Sequence, residues 1–462
     1  MNSEPASTMK KMTVFAITWP IFIEMLFHIL MGTVDTFMLS HISDEVVSAV
    51  GISRQLIEFS IILFNLLGLG VGVVIAQFLG AGQKETVSRT AASALTFNLV
   101  FGLAISLLFI VSRDTLLRFY EVPERVHKDA AVYMMLVGGS LFLEALMLTA
   151  GPVIRAHGHT RDTMFVGIGM NVLHLIGNAL LIYGWFGLPQ LGILGAAIST
   201  IISRIIACIA IFILLYRRVE APIRPVYYLQ LKWRELRAIL KIGIPSGLEW
   251  LSYHFSNMVV TRFVSMMGLT AVTAHVYANS IVYFFMLFGM AIGEGTEIIV
   301  ARQIGSGQKE KAYRQLLTSL RWALLITIGA LLVGNLFRQQ LFDLFTDDPA
   351  VIATGASILL LCIALEPGRV FNHVVINSLR AAGDVQFPLM MAIISMWGIK
   401  APLAYFLGIH MGFGVLGVWI AHAADEWVRG VFHYFRWRGR KWQQKSLLSP
   451  DSLRGDTLSA EP

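Results

Sequence analysis

The chain contains twelve apolar stretches that are long enough to cross a lipid bilayer as helices, and this feature constrains its fold more than any other. A helix needs about 20 apolar residues to cross the ~30 Å hydrocarbon core. Of the 462 residues, 56% are hydrophobic and 14% are charged, and the mean hydropathy is +0.68, which excludes a soluble protein. The predicted spans are 13–38, 55–79, 93–112, 129–150, 163–184, 191–216, 238–263, 279–301, 320–338, 351–376, 388–408 and 414–435.

The positive charges predict the orientation of these spans. Lysine and arginine fall mainly in alternate loops, including the basic stretches 84–89, 217–241 and 302–314. Cytoplasmic loops of membrane proteins carry such an excess. We therefore predict a multi-pass protein of a bacterial-type inner membrane with both termini in the cytoplasm. The net charge of +7 reflects this asymmetry and does not indicate nucleic-acid binding.

An internal repeat divides the chain. GAGQKE (80–85) recurs as GSGQKE (305–310), and RAHG (155–158) recurs as RAAG (380–383), both at an offset of 225 positions. We predict two six-helix lobes with the following boundaries: 1–218, a cytoplasmic linker loop 219–237, 238–445, and a cytoplasmic tail 446–462. Because six is an even number, both copies enter the membrane from the same side, which predicts parallel repeats around a central cavity. The GxGQKE segment is interpreted as a tight turn followed by a helix start.

Ionisable residues within the spans are candidate site residues, because a charge at bilayer depth costs at least about 2.5 kcal/mol. Glu24, His28 and Asp35 on the first span lie within about 40° of one helical stripe, which should face a cavity. A carboxylate in such a cavity can exchange a coupling cation, and Asp35 is the candidate.

The fifth span carries Asn171, His174 and Asn178 on one side. Beside an acid, these groups would form either an oxygen-rich cation site or a proton relay. Hydrogen bonding between helices is the structural alternative. We predict that Asp35, Asn171, His174 and Asn178 couple cations, with Na⁺ at Asp35 as the only metal considered.

The second copy carries a further set of polar groups within its spans. Arg369 requires a counterion, for which Glu366 and Glu144 are candidates. Lys400 is predicted to pair with an acid, the alternative being that it tunes a proton site. The residues predicted for the substrate cavity or charge network are Glu24, His28, Glu249, Tyr253, Glu294, Glu366, Arg369 and Lys400.

The chain resembles the multidrug and toxic compound extrusion (MATE) transporters of bacteria over residues 10–440. The resemblance rests on VDTFMLS (34–40), the two GxGQKE segments and NSLRAAGD (377–384). It implies twelve helices in two parallel repeats. It also implies export of amphipathic, often cationic compounds by antiport with H⁺ or Na⁺, without a cofactor and by a monomer.

The resemblance further implies that Asp35 is the coupling residue. Many bacterial members have an Asn four positions before an Asp in the fifth helix, where this chain has His174 and Asn178. The missing carboxylate favours protons over Na⁺. A seventh-helix glutamate of some members would lie at Tyr253, and Glu249 is one turn early.

Two other functions are open to a chain of this composition. A lipid-linked oligosaccharide flippase of the same superfamily would need a cavity rich in basic residues, whereas the spans of this chain are rich in acids. A membrane-embedded enzyme is not indicated, because the chain has no HExxH motif, protease-type pair of intramembrane aspartates or serine nucleophile arrangement.

Overall fold

The computed structural model describes residues 13–446 except 121 and 221, and only the backbone of 44–46 and 49. Every regular element in this part of the chain is a helix. The predicted tail lies outside the described residues except for its first position. The helices are α1 (Val14–Ser40), α2 (Asp44–Gly80), α3 (Lys84–Phe119), α4 (Glu124–Tyr133), α5 (Leu141–Ala156), α6 (Thr160–Tyr183), α7 (Gly192–Arg218), α8 (Pro225–Leu229), α9 (Trp233–Ser265), α10 (Leu269–Gly305), α11 (Lys309–Leu336), α12 (Arg338–Asp343), α13 (Pro349–Ala381), α14 (Gln386–Ser395), α15 (Ala401–Tyr405) and α16 (Gly414–Arg438).

Three π-helical turns, Met134–Gly138, Met396–Lys400 and Phe406–His410, extend or join these helices. The last two make one long helical segment of α14 and α15, with Pro402 between the two turns. α1, α9 and α13 continue through Pro20, Pro245 and Pro367. The prolines are therefore accommodated inside spans rather than ending them.

All twelve predicted spans lie in helices of the described residues. Nine helices there are long and apolar enough to cross a membrane, and a tenth span is formed by α4 and α5, which meet at a 40° bend. The two remaining spans are α9 and α16, which contain the charged residues described below and are accordingly less apolar. The fold is all-α and polytopic, as predicted.

The chain divides into two compact units, Ile23–Ile244 and a second unit made of Met1–Phe22 with Pro245–Pro462. We call them the amino-terminal and carboxy-terminal units. The divisions fall inside α1 and α9, next to Pro20 and Pro245, at equivalent places in the two repeats. The repeat boundaries at 218 and 238 stay a prediction.

Two glycines at the repeat offset explain how the first turns of α1 and α9 pack. In the amino-terminal unit a Cβ on Gly70 of α2 would collide with the backbone of Ile239 in α9. In the carboxy-terminal unit a Cβ on Gly295 of α10 would lie 2.6 Å from the Thr18 hydroxyl of α1. Glycine is required at both positions because the helices approach so closely.

The same helix pairs pack in both units. α5 lies against α2 and α7 in the amino-terminal unit, and α13 lies against α10 and α16 in the carboxy-terminal unit. Each unit has its own apolar core, which includes Phe64 and Leu141 in the first and Phe342 and Trp419 in the second. This arrangement brings residues at equivalent repeat positions into equivalent surroundings.

The two GxGQKE segments form the turn and helix start predicted for them. Gly82 and Gly307 have φ angles of +73° and +75°, where a side chain would be strained. α3 begins at Lys84 and α11 begins at Lys309. The interpretation as a turn is confirmed.

The Lys-Glu pair of each segment also holds the stretch that follows the last helix of its own repeat. In the first repeat Lys84 pairs with Glu220 at 3.4 Å and Glu85 accepts a hydrogen bond from Tyr227 at 3.2 Å. Tyr227 lies in α8, so the predicted linker loop is folded onto α3.

The second repeat makes the corresponding contacts with the residues after α16. Lys309 donates to the carbonyl of Gln443 at 2.9 Å, and Glu310 pairs with Arg440 at 3.0 Å. We call these two groups of contacts the GxGQKE clasps.

Candidate functional site

Asp35 of α1 lies against α6 in the amino-terminal unit. Its Oδ1 accepts a hydrogen bond from Asn178 Nδ2 at 2.9 Å and lies 3.6 Å from His174 Nδ1. The side chains of Asp35 and His174 are 23% and 15% exposed. Three of the four residues predicted to couple cations therefore meet at one point, between the polar stripes of two helices.

The His174 ring is held on its other side by α7. Thr200 Oγ1 lies 3.2 Å from His174 Nε2, and Ser199 Oγ donates to the backbone carbonyl of His174 at 2.9 Å. The Thr200 hydroxyl also lies 2.9 Å from the carbonyl of Ala196. The sequence prediction missed Ser199 and Thr200.

The Thr200 hydroxyl has one proton and two acceptors within reach, so two hydrogen-bond patterns are available. When it donates to His174 Nε2, a neutral ring carries its proton on Nδ1 and directs it at an ionised Asp35. When it donates to Ala196, the histidine proton must lie on Nε2, which donates to Thr200. Nδ1 of a neutral ring then carries no proton. Its contact with Asp35 is favourable only if one further proton lies between Nδ1 and the carboxylate. Asp35, His174 and Thr200 can thus bind one proton when a single hydroxyl turns.

Two arginines approach this proton-binding group, and each has its own carboxylate. Arg54 of α2 pairs with Glu58 at 3.0 Å, and Arg204 of α7 pairs with Glu144 of α5 at 3.2 Å. Neither pair includes Asp35, so the aspartate is available for a mobile cation.

Glu24 lies 11 positions before Asp35 on α1, which is about 16 Å along a helix. It pairs with Arg155 at 3.4 Å and accepts a hydrogen bond from Thr163 at 3.3 Å. Glu24 therefore belongs to a second polar layer on the same side of α1.

The structure does not add His28 or Asn171 to these groups. His28 is exposed and makes no hydrogen bond or ion pair with a described residue. His28 lies at the edge of the predicted 40° stripe, and this rotation about the helix is enough to point its side chain away from the surroundings of Glu24 and Asp35. Asn171 is buried in α6, but it makes no hydrogen bond with Asp35. The predicted sets were therefore too wide at these two positions.

A cavity of about 710 Å³, its open mouth included, lies in the carboxy-terminal unit. Of the predicted residues, Glu249, Tyr253 and Arg369 line it. Glu294, Glu366 and Lys400 do not. The remaining lining residues are Trp250, Met286, Gly289, Met290, Val370, Asn372, His373, Ile376, Arg380, Met396, Glu426 and Arg429.

Arg380 is the hub of one ion-pair group in this cavity. It lies 3.2 Å from Glu297 and 3.7 Å from Glu249, and it also donates to Asn377 at 2.7 Å and to Ser246 at 3.1 Å. Arg380 was identified from the sequence only as part of a repeated motif.

Arg369 and Arg429 form the second ion-pair group. Arg369 lies 2.7 Å from Glu366, one of its two predicted partners, and 3.8 Å from Glu426. Arg429 pairs with Asp425 at 2.8 Å and with Glu426 at 2.9 Å. The sequence prediction missed Asp425 and Arg429. The acids of these two ion-pair groups, in an interior that the sequence predicted to be rich in acids, contact arginines.

Lys400 does not pair with an acid, and the prediction that it would is wrong. Its Nζ donates to Asn257 Oδ1 at 2.5 Å and lies 4.9 Å from the centre of the Tyr253 ring. Asp425 and Glu426 are the acids that attract the lysine electrostatically, and both are already bound by Arg429. The arginine fork takes both carboxylates and leaves the lysine with neutral partners.

Duplicated helical units with ionisable groups inside their spans are an arrangement that many membrane transporters have. A family model named MatE matches residues 20–180 and 245–406, two segments that begin 225 positions apart. The chain therefore belongs to the MatE family. Members of this family are transporters and not enzymes, use ion coupling and need no cofactor.

Relatives and solved structures agree with this assignment. "Uncharacterized transporter YisQ" of Bacillus subtilis (strain 168) is 44% identical over 438 residues, which cover 95% of this chain and 96% of that protein. "Probable multidrug resistance protein NorM" of Thermotoga maritima is 24% identical and covers 93% of each chain. The Vibrio cholerae MATE transporter VcmN in the bent form has the same fold, with a TM-score of 0.85, 21% identity and coverage of 94% of this chain and 98% of that one.

Proposed function

We propose that this protein exports amphipathic, often cationic compounds across the cytoplasmic membrane in exchange for protons. The observation that carries the proposal is the contact of Asp35 with His174, whose ring is held by Thr200. This group gains or loses one proton with the turn of one hydroxyl, so it provides a reversible charge at a fixed place in the membrane.

The surroundings of Asp35 favour a proton over Na⁺. A hard cation prefers several oxygen ligands. The neighbours of the carboxylate are an imidazole nitrogen and the amide nitrogen of Asn178, which donates to it.

The cavity of the carboxy-terminal unit supports an amphipathic substrate. Methionine and tryptophan side chains give it an adaptable apolar wall, and its charged lining consists of Glu249 and Glu426 with the arginines that contact them. The multidrug name of the NorM relatives agrees with such a substrate class. A flippase is less well supported, because all three lining arginines contact carboxylates and none is left for a pyrophosphate.

We propose the topology predicted from the loops, with both termini in the cytoplasm, and a monomer as the transporting unit. The basic segments that fix this orientation include the linker held by the first clasp. Labelling of single cysteines placed in the 217–241 loop tests the orientation from either side of the membrane.

Everted membrane vesicles given external ethidium test the exchange itself, because their cytoplasmic face points outwards and export becomes uptake. A pH gradient imposed at constant Na⁺ should drive ethidium movement, whereas a Na⁺ gradient at constant pH should not. Movement that depends on Na⁺ alone would reverse the choice of ion. Absence of ethidium movement under either gradient, with other cationic dyes also inert, would reject the proposed substrate class.

A further inference from the structure

Lys400 is buried within the carboxy-terminal unit and has no role in the exchange described above. It is 1% exposed and ends the π-helical turn between α14 and α15. Its Nζ contacts the Asn257 amide oxygen and the Tyr253 ring face, both supplied by α9. No carboxylate oxygen of the described residues lies within 4.0 Å of it.

The ammonium form of Lys400 is only partly satisfied by these contacts. A charged lysine has three N–H donors. One is used by Asn257 and a second finds the weaker aromatic face of Tyr253. A buried charge without a counterion is costly, and the usual result is that the group gives up its charge.

The charged groups around Lys400 act in both directions. Arg369 of α13 and Arg429 of α16 repel an ammonium, whereas Asp425 and Glu426 of α16 attract it. Arg429 contacts both acids directly and weakens their attraction. The facing imidazoles are His422 of α16 and His275 of α10. His275 accepts the Trp419 N–H on Nδ1, so its ring is neutral and adds no charge near Lys400.

The buried acids of the same unit keep the ammonium from being excluded altogether. Two of them, Asp425 and Glu426, attract the Lys400 ammonium and oppose the repulsion from Arg369 and Arg429. The incomplete contacts of the ammonium favour the neutral amine, whereas the attraction of the acids favours the ammonium. The charged and neutral states of Lys400 are therefore close in free energy. The acids are Glu249, Glu297, Glu366, Asp425 and Glu426, and the arginines are Arg369, Arg380 and Arg429.

We propose that Lys400 is a second proton-exchange site, located in the carboxy-terminal unit and separate from Asp35. One Nζ–H bond breaks, the electron pair stays on Nζ, and the proton passes to water beyond the Tyr253 ring, which contacts Nζ and lines the cavity that Lys400 itself does not line. Asn257 holds the amine in both states. The site changes between a positive and a neutral charge, whereas Asp35 changes between neutral and negative.

A measurement without substrate tests this site independently of the proposed export. Protein labelled with ¹⁵N at lysine Nζ is placed in lipid nanodiscs and titrated by NMR. One resonance, identified by its absence from Lys400→Arg, should change from the charged to the neutral form at a lower pH than those of solvated lysines, which stay charged up to about pH 10. A Lys400 resonance that remains in one form throughout would overturn the proposal.

Transport gives a second readout. The number of protons exchanged per ethidium should fall by about one in Lys400→Met and in Lys400→Arg, with Lys441→Met as an exposed control. An unchanged proton count in either transporting variant would also overturn the proposal. If Lys400→Met does not insert, the arginine variant decides, because it keeps the positive charge but cannot release its proton.

Discussion

Glu144 of α5 and Arg204 of α7 form an ion pair of 3.2 Å, and the equivalent residues of the other unit form the same pair with the charges exchanged. There Arg369 in α13 lies 225 positions after Glu144, and Glu426 in α16 lies 222 positions after Arg204, the offset at which GILGAAIS (192–199) aligns with GVLGVWIA (414–421). The two side chains are 3.8 Å apart. The duplication has therefore kept the geometry of this contact and not its polarity. Either orientation of the charges makes the contact neutral overall.

Exchange of the two charges in the amino-terminal unit should be tolerated. Glu144→Arg and Arg204→Glu, made singly, each bring two like charges together in a site that is less than one fifth exposed, so each should lower the free energy of unfolding by about 3 kcal/mol. The double variant should recover most of this loss. Thermal unfolding of the purified proteins, followed by tryptophan fluorescence, gives the comparison. A double variant no more stable than the singles would show that the pair is not interchangeable.

Glu24 and Arg155 in the amino-terminal unit and Glu249 and Arg380 in the carboxy-terminal unit form ion pairs at equivalent repeat positions. We expect the loss of the arginine to have unequal effects in the two units. Arg380 contacts Glu249, Glu297, Asn377 and Ser246, whereas Arg155, at the same repeat position, is 20% exposed. Loss of Arg380 leaves buried acids without a partner. Arg380→Met should therefore reduce the unfolding temperature more than Arg155→Met, and each variant is the matched control of the other. Equal losses would contradict the role of Arg380 as a hub.

Thr200 should act as a positioning residue for proton exchange. Thr200→Val keeps the shape of the side chain but removes the hydroxyl that turns between His174 and Ala196. We expect the variant to insert normally and its transport to lose the wild-type dependence on pH. Thr200→Ser should restore the profile, and Thr327→Val, a buried threonine of the other unit, is the control. A normal pH profile in Thr200→Val would remove the hydroxyl from the account.

The GxGQKE clasps should contribute little to stability. Glu310 and Arg440 are each 50% exposed, and such pairs contribute at most about 1 kcal/mol. Glu310→Gln should therefore leave the unfolding temperature and ethidium export nearly unchanged but increase protease cleavage after α16. Limited proteolysis measures this effect, with Glu85→Gln as the matched change in the first repeat. Loss of transport in Glu310→Gln would give the clasp a functional role.

Much of the fold follows from the sequence because lipid imposes simple rules. A span of about 20 apolar residues can only be a helix or part of a barrel, and a constant offset of 225 positions requires similar surroundings in both copies. The same helical arithmetic brought Asp35, His174 and Asn178 together. The arithmetic did not predict that Glu24 and Asp35 have different partners, since residues on one stripe can lie far apart along the helix axis.

The partners of buried charges could not be predicted as well. Lys400 was assigned an acid, but Arg429 binds the available carboxylates and Asn257 of α9 takes the lysine. Asp425 and Arg429 were overlooked, because opposite charges four positions apart also occur on exposed helix faces. Competition between helices that are distant in sequence decides such contacts, and spacing along one helix contains no information about it.

Substrate-driven proton movement tests the central claim most directly. Liposomes that contain the purified protein and a trapped pH-sensitive dye receive ethidium at equal pH on both sides and without Na⁺. Wild-type protein should move protons opposite to ethidium, and Asp35→Asn should insert normally but lose uphill coupling between the two fluxes. Proton movement of wild-type size in Asp35→Asn, or none in the wild type until Na⁺ is added, would contradict the account.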